Sequence, residues 1–325
     1  MRIFVTGATG FIGSAIVQDL IGAGHRVVGL ARSDRAAEAL ATAGAAVHRG
    51  SLDDLDSLRG GAADADGVIH AGFIHDFSRF AESCAIDRRA IAALGSALAG
   101  SDRPIVVTSG IGLLPQGRMA TEESAPARHS PRVASEDAAR AIAERGVRVS
   151  VVRLPPSVHG DGDHGFVPML IALAGKTGVS AFIDDGANRW TAVHRLDAAR
   201  LFRLAIERGG AGACYHGVAE ERIAFRQVAD TIGRRLGVPV VSRTTAQAAE
   251  HFGWFAPFAA LDVPASSART QEALGWRPTG ATLLEDLERP SYFPALGEET
   301  AGGREPQALT AARTSQTLWR PLDRR

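Results

Sequence analysis

The sequence is short of lysine and tyrosine. Among 325 residues there is one lysine, Lys176, and there are two tyrosines, Tyr215 and Tyr292. Nearly all the basic charge is therefore arginine. Neither tyrosine lies four residues before the lysine, so proton transfer by a Tyr-x-x-x-Lys pair is excluded. Cysteine is also scarce. Cys84 and Cys214 are far apart, which rules out a closely spaced metal pair and a disulfide framework. That usage points to a reducing compartment, the cytoplasm. The 36 basic and 36 acidic residues cancel, so nothing favours nucleic acid or an anionic membrane surface. No apolar run approaches the roughly 20 residues that span a bilayer. With a strand starting at residue 2, no signal peptide is expected.

Glycine is abundant, and its placement near the N-terminus organises the chain. Arg2 to Thr6 is a short apolar run suited to a buried strand. Gly7-Ala8-Thr9-Gly10-Phe11-Ile12-Gly13 follows, and then a stretch with helical spacing. Strand, glycine-rich turn and helix form the context of a dinucleotide-binding fingerprint. Gly7 permits the tight turn, Gly10 lets the backbone approach a pyrophosphate, and Gly13 lets the helix pack on the strand. The free N–H groups of the helix start would face the phosphates, with Thr9, Phe11 and Ile12 beside them.

Strands at Val27–Leu30, Ala45–His48, Gly67–His70, Ile105–Thr108 and Val149–Val152 alternate with helices at about 34–43, 53–60, 77–99 and 131–145. This alternation predicts an α/β fold, a Rossmann doubly wound parallel sheet with ligands at the carboxyl ends of its strands. After Arg153 the pattern loosens. Residues 1–155 plus about 190–215 read as the dinucleotide-binding domain. Residues 156–190 and 215–296 read as a smaller, discontinuous C-terminal substrate domain, and 297–325 as a tail, disordered or docked on a neighbouring subunit. A homo-oligomer therefore stays open.

Thr6-Gly7-Ala8-Thr9-Gly10-Phe11-Ile12-Gly13 resembles the fingerprint of the extended short-chain dehydrogenase/reductase superfamily. That group includes sugar-nucleotide epimerases and dehydratases and several ketone reductases. The resemblance runs, more weakly, to about residue 290. It implies a nicotinamide dinucleotide cofactor. The second strand ends without a carboxylate at Ala31. Arg32, Arg35 and the Ser33 hydroxyl suit the 2′-phosphate of NADP, with NAD as the alternative should Asp34 reach the ribose. The resemblance further implies that Leu52-Asp53 meets the adenine, Asp53 being also a candidate helix cap, and that Ala71-Gly72 runs beneath the cofactor. Thr108 and the segment Arg153-Leu154-Pro155-Pro156-Ser157-Val158-His159-Gly160 resemble the parts lining the nicotinamide. Pro155, Ser157 and Val158 would touch it.

Where the superfamily has its catalytic serine, Val107-Thr108-Ser109-Gly110 offers Ser109, within one residue. Where it has Tyr and Lys, this chain has Arg132 and Glu136. Four apart on one helix, they would share a face and could pair. Arg132 could polarise a substrate oxygen, and the proton would come from water, Ser109 or His75. His159, Arg189 and Trp190 are candidates for the substrate side. Phe252, Trp254, Phe255 and Phe258 either wall a pocket or form a core. Asp197 is expected to cap a helix. His159, Asp161, Asp163 and His164 have the composition of a metal cluster, but the intervening glycines fit a turn, and no metal is expected. Three functions remain open: an NADP-dependent oxidoreductase on a mostly apolar small molecule, an epimerase or dehydratase, and a nucleotide-sensing regulator without catalysis.

Overall fold

The computed structural model describes residues 1–128 and 130–293; the expected tail, 297–325, lies outside the described residues. The sheet begins with β1 (Arg2–Thr6), α1 (Phe11–Gly22), β2 (Arg26–Ala31), α2 (Asp34–Thr42), β3 (Ala46–Arg49), α3 (Leu55–Ala63) and β4 (Gly67–His70). It continues through α4 (Phe80–Leu98), β5 (Pro104–Gly110), α5 (Ala134–Ala143) and β6 (Arg148–Leu154). Then come β7 (Ser157–His159), α6 (Phe166–Thr177), β8 (Ser180–Ile183), β9 (Arg189–His194), α7 (Arg195–Arg208) and β10 (Cys214–His216). The last elements are β11 (Glu220–Ala224), α8 (Phe225–Leu236), β12 (Val240–Arg243), α9 (Thr245–Phe252), α10 (Ala256–Ala259), α11 (Ala268–Leu274) and α12 (Leu283–Leu287).

Seven strands form the central sheet in the order β10-β6-β5-β4-β1-β2-β3, all parallel. A strand inside such a sheet is covered on both faces, so it reads as a continuous apolar run. Ile3, Phe4 and Val5 of β1 are fully buried. One face packs on α1, α2 and α7, with Ile16, Leu20, Leu40 and Phe202 in its core. The other packs on α3, α4 and α5, with Leu58, Ile91, Leu94 and Ile142. The strand order reverses direction between β1 and β4, which opens a crevice at their carboxyl ends.

The C-terminal part has its own core around Trp190, Phe225, Ile232 and Phe252. A three-stranded sheet, β11-β9-β7, and a pair, β12-β8, cover it. β10 adds to the edge of the large sheet beside β6. The strands β7, β10, β11 and β12 were not apparent in the sequence. β7 and β10 hold three residues each, too few to show a period. The helix expected at 131–145 begins as a 3-10 turn, Pro131–Val133, before α5.

Candidate active site

At the end of β1, Gly7 has φ +68, a left-handed backbone that only glycine adopts freely. A Cβ there would lie 2.6 Å from Gly72 Cα. A Cβ on Gly13 would lie 1.9 Å from the Gly7 carbonyl oxygen, so helix and loop touch backbone to backbone. Gly10 caps α1 and is exposed; within the protein its missing Cβ would meet only the Gly7 oxygen, at 3.2 Å. The space on its outer side is free for a ligand. The N–H groups of Phe11, Ile12 and Gly13 open the helix with no intrahelical acceptor, as anion binding requires. Thr9 is exposed at the same turn. Beneath, Ala71-Gly72 is tied to β1 by Gly72 N–H donating to Thr6 Oγ1 at 3.2 Å. Leu52 packs against Gly72. The residues present fit a dinucleotide.

At the end of β2, Ala31 is buried and Arg32, Ser33 and Arg35 are exposed. Ser33 Oγ caps α2 by accepting from Ala36 N–H, which leaves its O–H free to donate. Asp34 turns away, its Oδ1 accepting from Arg49 at 2.7 Å. Asp53 is exposed and held by Ser51, whereas the cap of α3 is Asp54, accepting from Ser57 N–H. Pro155 and Ser157 are buried and Val158 half-buried. The Ser157 hydroxyl has no partner among the described residues.

The replaced pair does not pair with itself. The 3-10 turn breaks the helix between positions 132 and 136, and each side chain has a partner from another element. Glu136 receives Arg153 in a bidentate grip, Nε to Oε1 and Nη2 to Oε2, both 2.8 Å. Ser109 Oγ also donates to Glu136 Oε1, at 2.7 Å. Burial would raise the Glu136 pKa, but Arg153 and then Ser109 outweigh it and hold it low. Glu136 is thus a structural anion, and the Ser109 hydroxyl is already committed rather than free to donate to a substrate. Beside them, Thr108 Oγ1 donates to the His70 carbonyl at 2.8 Å.

Arg132 is fixed by a second, independent network. Its Nη1 donates to Asp87 Oδ2 at 2.7 Å and to Ser135 Oγ, its Nη2 donates to the Thr108 carbonyl at 3.2 Å, and its guanidinium carbon lies 4.1 Å above the Phe73 ring. Asp87 is fully buried in α4. His70 Nε2 lies 3.0 Å from Asp87 Oδ1, and His70 Nδ1 lies 2.8 Å from Thr6 Oγ1. Burial would raise the Asp87 pKa. The His70 hydrogen bond, the Arg132 charge and Ser135 overcome this and hold it at about 2. A chain of polar contacts thus runs from the cofactor floor at Thr6, through His70 and Asp87, to Arg132. A guanidinium has five N–H donors. Nε and one hydrogen of Nη2 have no acceptor among the described residues, and they are free for a ligand oxygen.

His75 is exposed, yet protein surrounds it. That enclosure first, then the Arg132 and His164 charges, lower its pKa. It is neutral near pH 7, better suited to accept a proton than to serve as the acid expected from sequence. Its ring lies 5.2 Å from Phe73, and His164 lies 5.7 Å from Phe11 of the cofactor loop. Arg195 closes the other side of that loop, over Phe11 at 4.7 Å and donating to Ser14 Oγ at 3.1 Å.

The substrate-side expectations need correction. Trp190 is fully buried in the C-terminal core and donates Nε1–H to the Phe258 carbonyl. His159 is fully buried, its Nδ1 2.7 Å from Asp286 Oδ2. Arg189 is committed to Asp262 through Nε and Nη2, at 2.7 and 2.8 Å. Apolar burial of β7 and β9 draws all three inward or sideways. Asp197 is not the cap of α7, which is His194; its Oδ2 instead accepts from Thr279 and Gly280 N–H. Among the described residues no group of His, Cys, Asp and Glu could hold a metal ion.

Sequence reasoning missed Asp87, the anchor of Arg132. A signal was present: Cys84, Asp87, Ile91 and Leu94 recur at helical spacing, which places an aspartate on the buried face of α4. Arg153 lay inside a quoted segment, but nothing in the sequence assigns it to Glu136.

The NAD dependent epimerase/dehydratase family model matches residues 3–94. An uncharacterized protein of Schizosaccharomyces pombe is 51% identical over 295 residues, 90% of this chain and 100% of that one. A 4-hydroxy-2-methyl-3-oxo-4-farnesyl-3,4-dihydroquinoline-1-oxide ketoreductase of Stigmatella aurantiaca is 29% identical over 78% of this chain and 80% of its own. The dTDP-glucose 4,6-dehydratase of Streptomyces venezuelae, solved with NAD and TYD bound, superposes with a TM-score of 0.71 at 21% identity, covering 89% of this chain and 96% of that one. The chain belongs to the extended short-chain dehydrogenase/reductase superfamily, in its NAD-dependent epimerase/dehydratase branch, with the Tyr-x-x-x-Lys pair replaced. It is an enzyme of an NAD(P)-binding family. Among the described residues no helix is long and apolar enough to cross a membrane.

Proposed function

We propose that the chain is an NADP-dependent oxidoreductase acting on a carbonyl or hydroxyl of a small, mostly apolar molecule. The observation that carries this reading is Arg132, a fixed cation with two free N–H donors at the place of the superfamily's tyrosine. When bound, the nicotinamide supplies the two-electron donor or acceptor. The chain's own residues then do the rest. Gly7, Gly10 and Gly13 admit the pyrophosphate, and Arg32 with Ser33 receives the 2′-phosphate. Arg132 holds the substrate oxygen and stabilises negative charge developing on it, at no cost in reorientation. In oxidation neutral His75 accepts the hydroxyl proton and passes it to water; in reduction it takes a proton from water and gives it to the forming alkoxide. The relative named a ketoreductase supports the chemistry. The free thiols Cys84 and Cys214 support a reducing compartment such as the cytoplasm.

The test is transfer of deuterium from C4 of labelled NADPH to a panel of ketones and aldehydes, with Gly10→Val as control. The wild type is expected to label the product alcohol. The variant should stay folded and lose nucleotide affinity in calorimetric titration, because a branched side chain fills the approach to the pyrophosphate. Nucleotide binding without transfer to any carbonyl would favour the regulator. Unchanged affinity in Gly10→Val would remove the proposed placement.

A further inference from the structure

A run of aromatic rings leads from the surface to Arg132. Trp254 is 38% exposed. It stacks on Phe77, centroids 4.7 Å apart and planes at 21°. Phe77 stacks in turn on Phe80 at 5.7 Å and meets the edge of Phe258 at 5.4 Å. Phe80 lies edge-on to Phe73 at 6.2 Å, and Phe73 carries Arg132 on its face.

Phe77 comes from the segment between β4 and α4, Trp254 and Phe258 from the C-terminal part. Among the described residues, no hydrogen bond joins residues 73–80 to residues 253–259. The two walls touch through rings alone. A stack of this kind can be opened by another flat ring at little cost, because the faces lost to each other are regained on the newcomer. Charged recognition is weak on the same walls. Arg189, a candidate for the substrate side, is held by Asp262.

We propose that the substrate is a flat aromatic carbonyl compound. Its ring enters between Phe77 and Trp254. The carbonyl part rests on the oxidoreductase reading above; the ring part rests on the aromatic walls.

The test uses a matched pair, 2-acetylnaphthalene and its fully saturated decahydro analogue, titrated by calorimetry into the full chain holding NADP⁺, so that no turnover occurs. The aromatic ketone is expected to bind at least tenfold more tightly. Trp254→Ala and Phe77→Ala should each weaken it at least fivefold, and Trp254→Phe should stay within twofold. All three should leave NADP⁺ affinity unchanged, and Trp254→Phe should leave the thermal midpoint unchanged as well. Equal affinity for the two ketones, insensitivity to Trp254→Ala, or tighter binding of UDP-glucose would overturn the inference. The two readings fail separately. Discrimination between the ketones without deuterium transfer from NADPH leaves the ligand class standing and removes the oxidoreductase. Transfer to both ketones with equal efficiency does the reverse.

Discussion

Asp87→Asn tests the network that holds Arg132. The folded carboxylate sits at about 2 against an ordinary 3.8. At about 1.4 kcal/mol per pKa unit, its ionised form contributes about 2.5 kcal/mol at neutral pH. A pKa lowered by folding gives stability that is present above the unfolded value and lost as pH falls through the folded one. The contribution is therefore full above about pH 5 and is lost between about pH 4 and pH 2. The amide adds a further cost. It leaves a guanidinium with 15% side-chain exposure unpaired, and its NH₂ faces either His70 or the Arg132–Ser135 donors. Removing one partner of a buried pair costs about 3–5 kcal/mol.

Urea denaturation at pH 7.5 should thus show a loss of about 3 kcal/mol with an unchanged m-value. Between pH 8 and pH 7 the difference from wild type should be flat. Below pH 4 it should shrink. His216, which burial holds at about 4, loses its own share of stability between pH 6.5 and 4 in both proteins, so it cancels in the difference. Adding Arg132→Met to Asp87→Asn should restore at least about 1.5 kcal/mol, because the stranded cation is gone. A loss under about 1 kcal/mol, or strict additivity in the double variant, would refute the account of Asp87 as the anchor.

Two further outcomes follow from the same geometry. Arg32→Ala should weaken NADPH binding by about 1–3 kcal/mol and leave NADH nearly unaffected, measured by calorimetry; equal losses would show that Arg32 does not read the 2′-phosphate. Glu136→Lys should cost more than about 3 kcal/mol in urea denaturation, since it sets a second cation against Arg153 where both side chains are under a tenth exposed; a change within about 1 kcal/mol would place Glu136 outside the core.

The parallel sheet was legible because its inner strands are apolar on both faces and its helices carry clear periodicity. Gly7 and Gly13 marked the nucleotide turn for a local reason: a left-handed backbone and a close approach each require the absence of a Cβ. The site was less legible, because charge pairing is decided across long sequence separations. Arg132 and Asp87 are 45 residues apart, and Arg153 and Glu136 lie on different elements. Spacing along one helix offered Arg132 and Glu136 to each other. Burial decided otherwise, since an interior charge takes the partner that desolvates with it.

The replacement of the tyrosine–lysine pair therefore involves four positions. A cation at 132 is tolerated only because α4 presents an aspartate on its buried face, and that aspartate is held in turn by His70. An anion at 136 is tolerated only because Arg153 on β6 turns into it, which also takes the Ser109 hydroxyl out of use. Each substituted charge is neutralised by a residue from a separate element, and the two pairs share no side chain. Arg132 remains as the polar group whose spare donors face neither network. The interior thus converts a site built around a titrating phenol into one built around a permanent cation. Arginine cannot deliver the proton, so the function proposed above divides two tasks that a tyrosine combines, giving Arg132 the oxygen and His75 the proton.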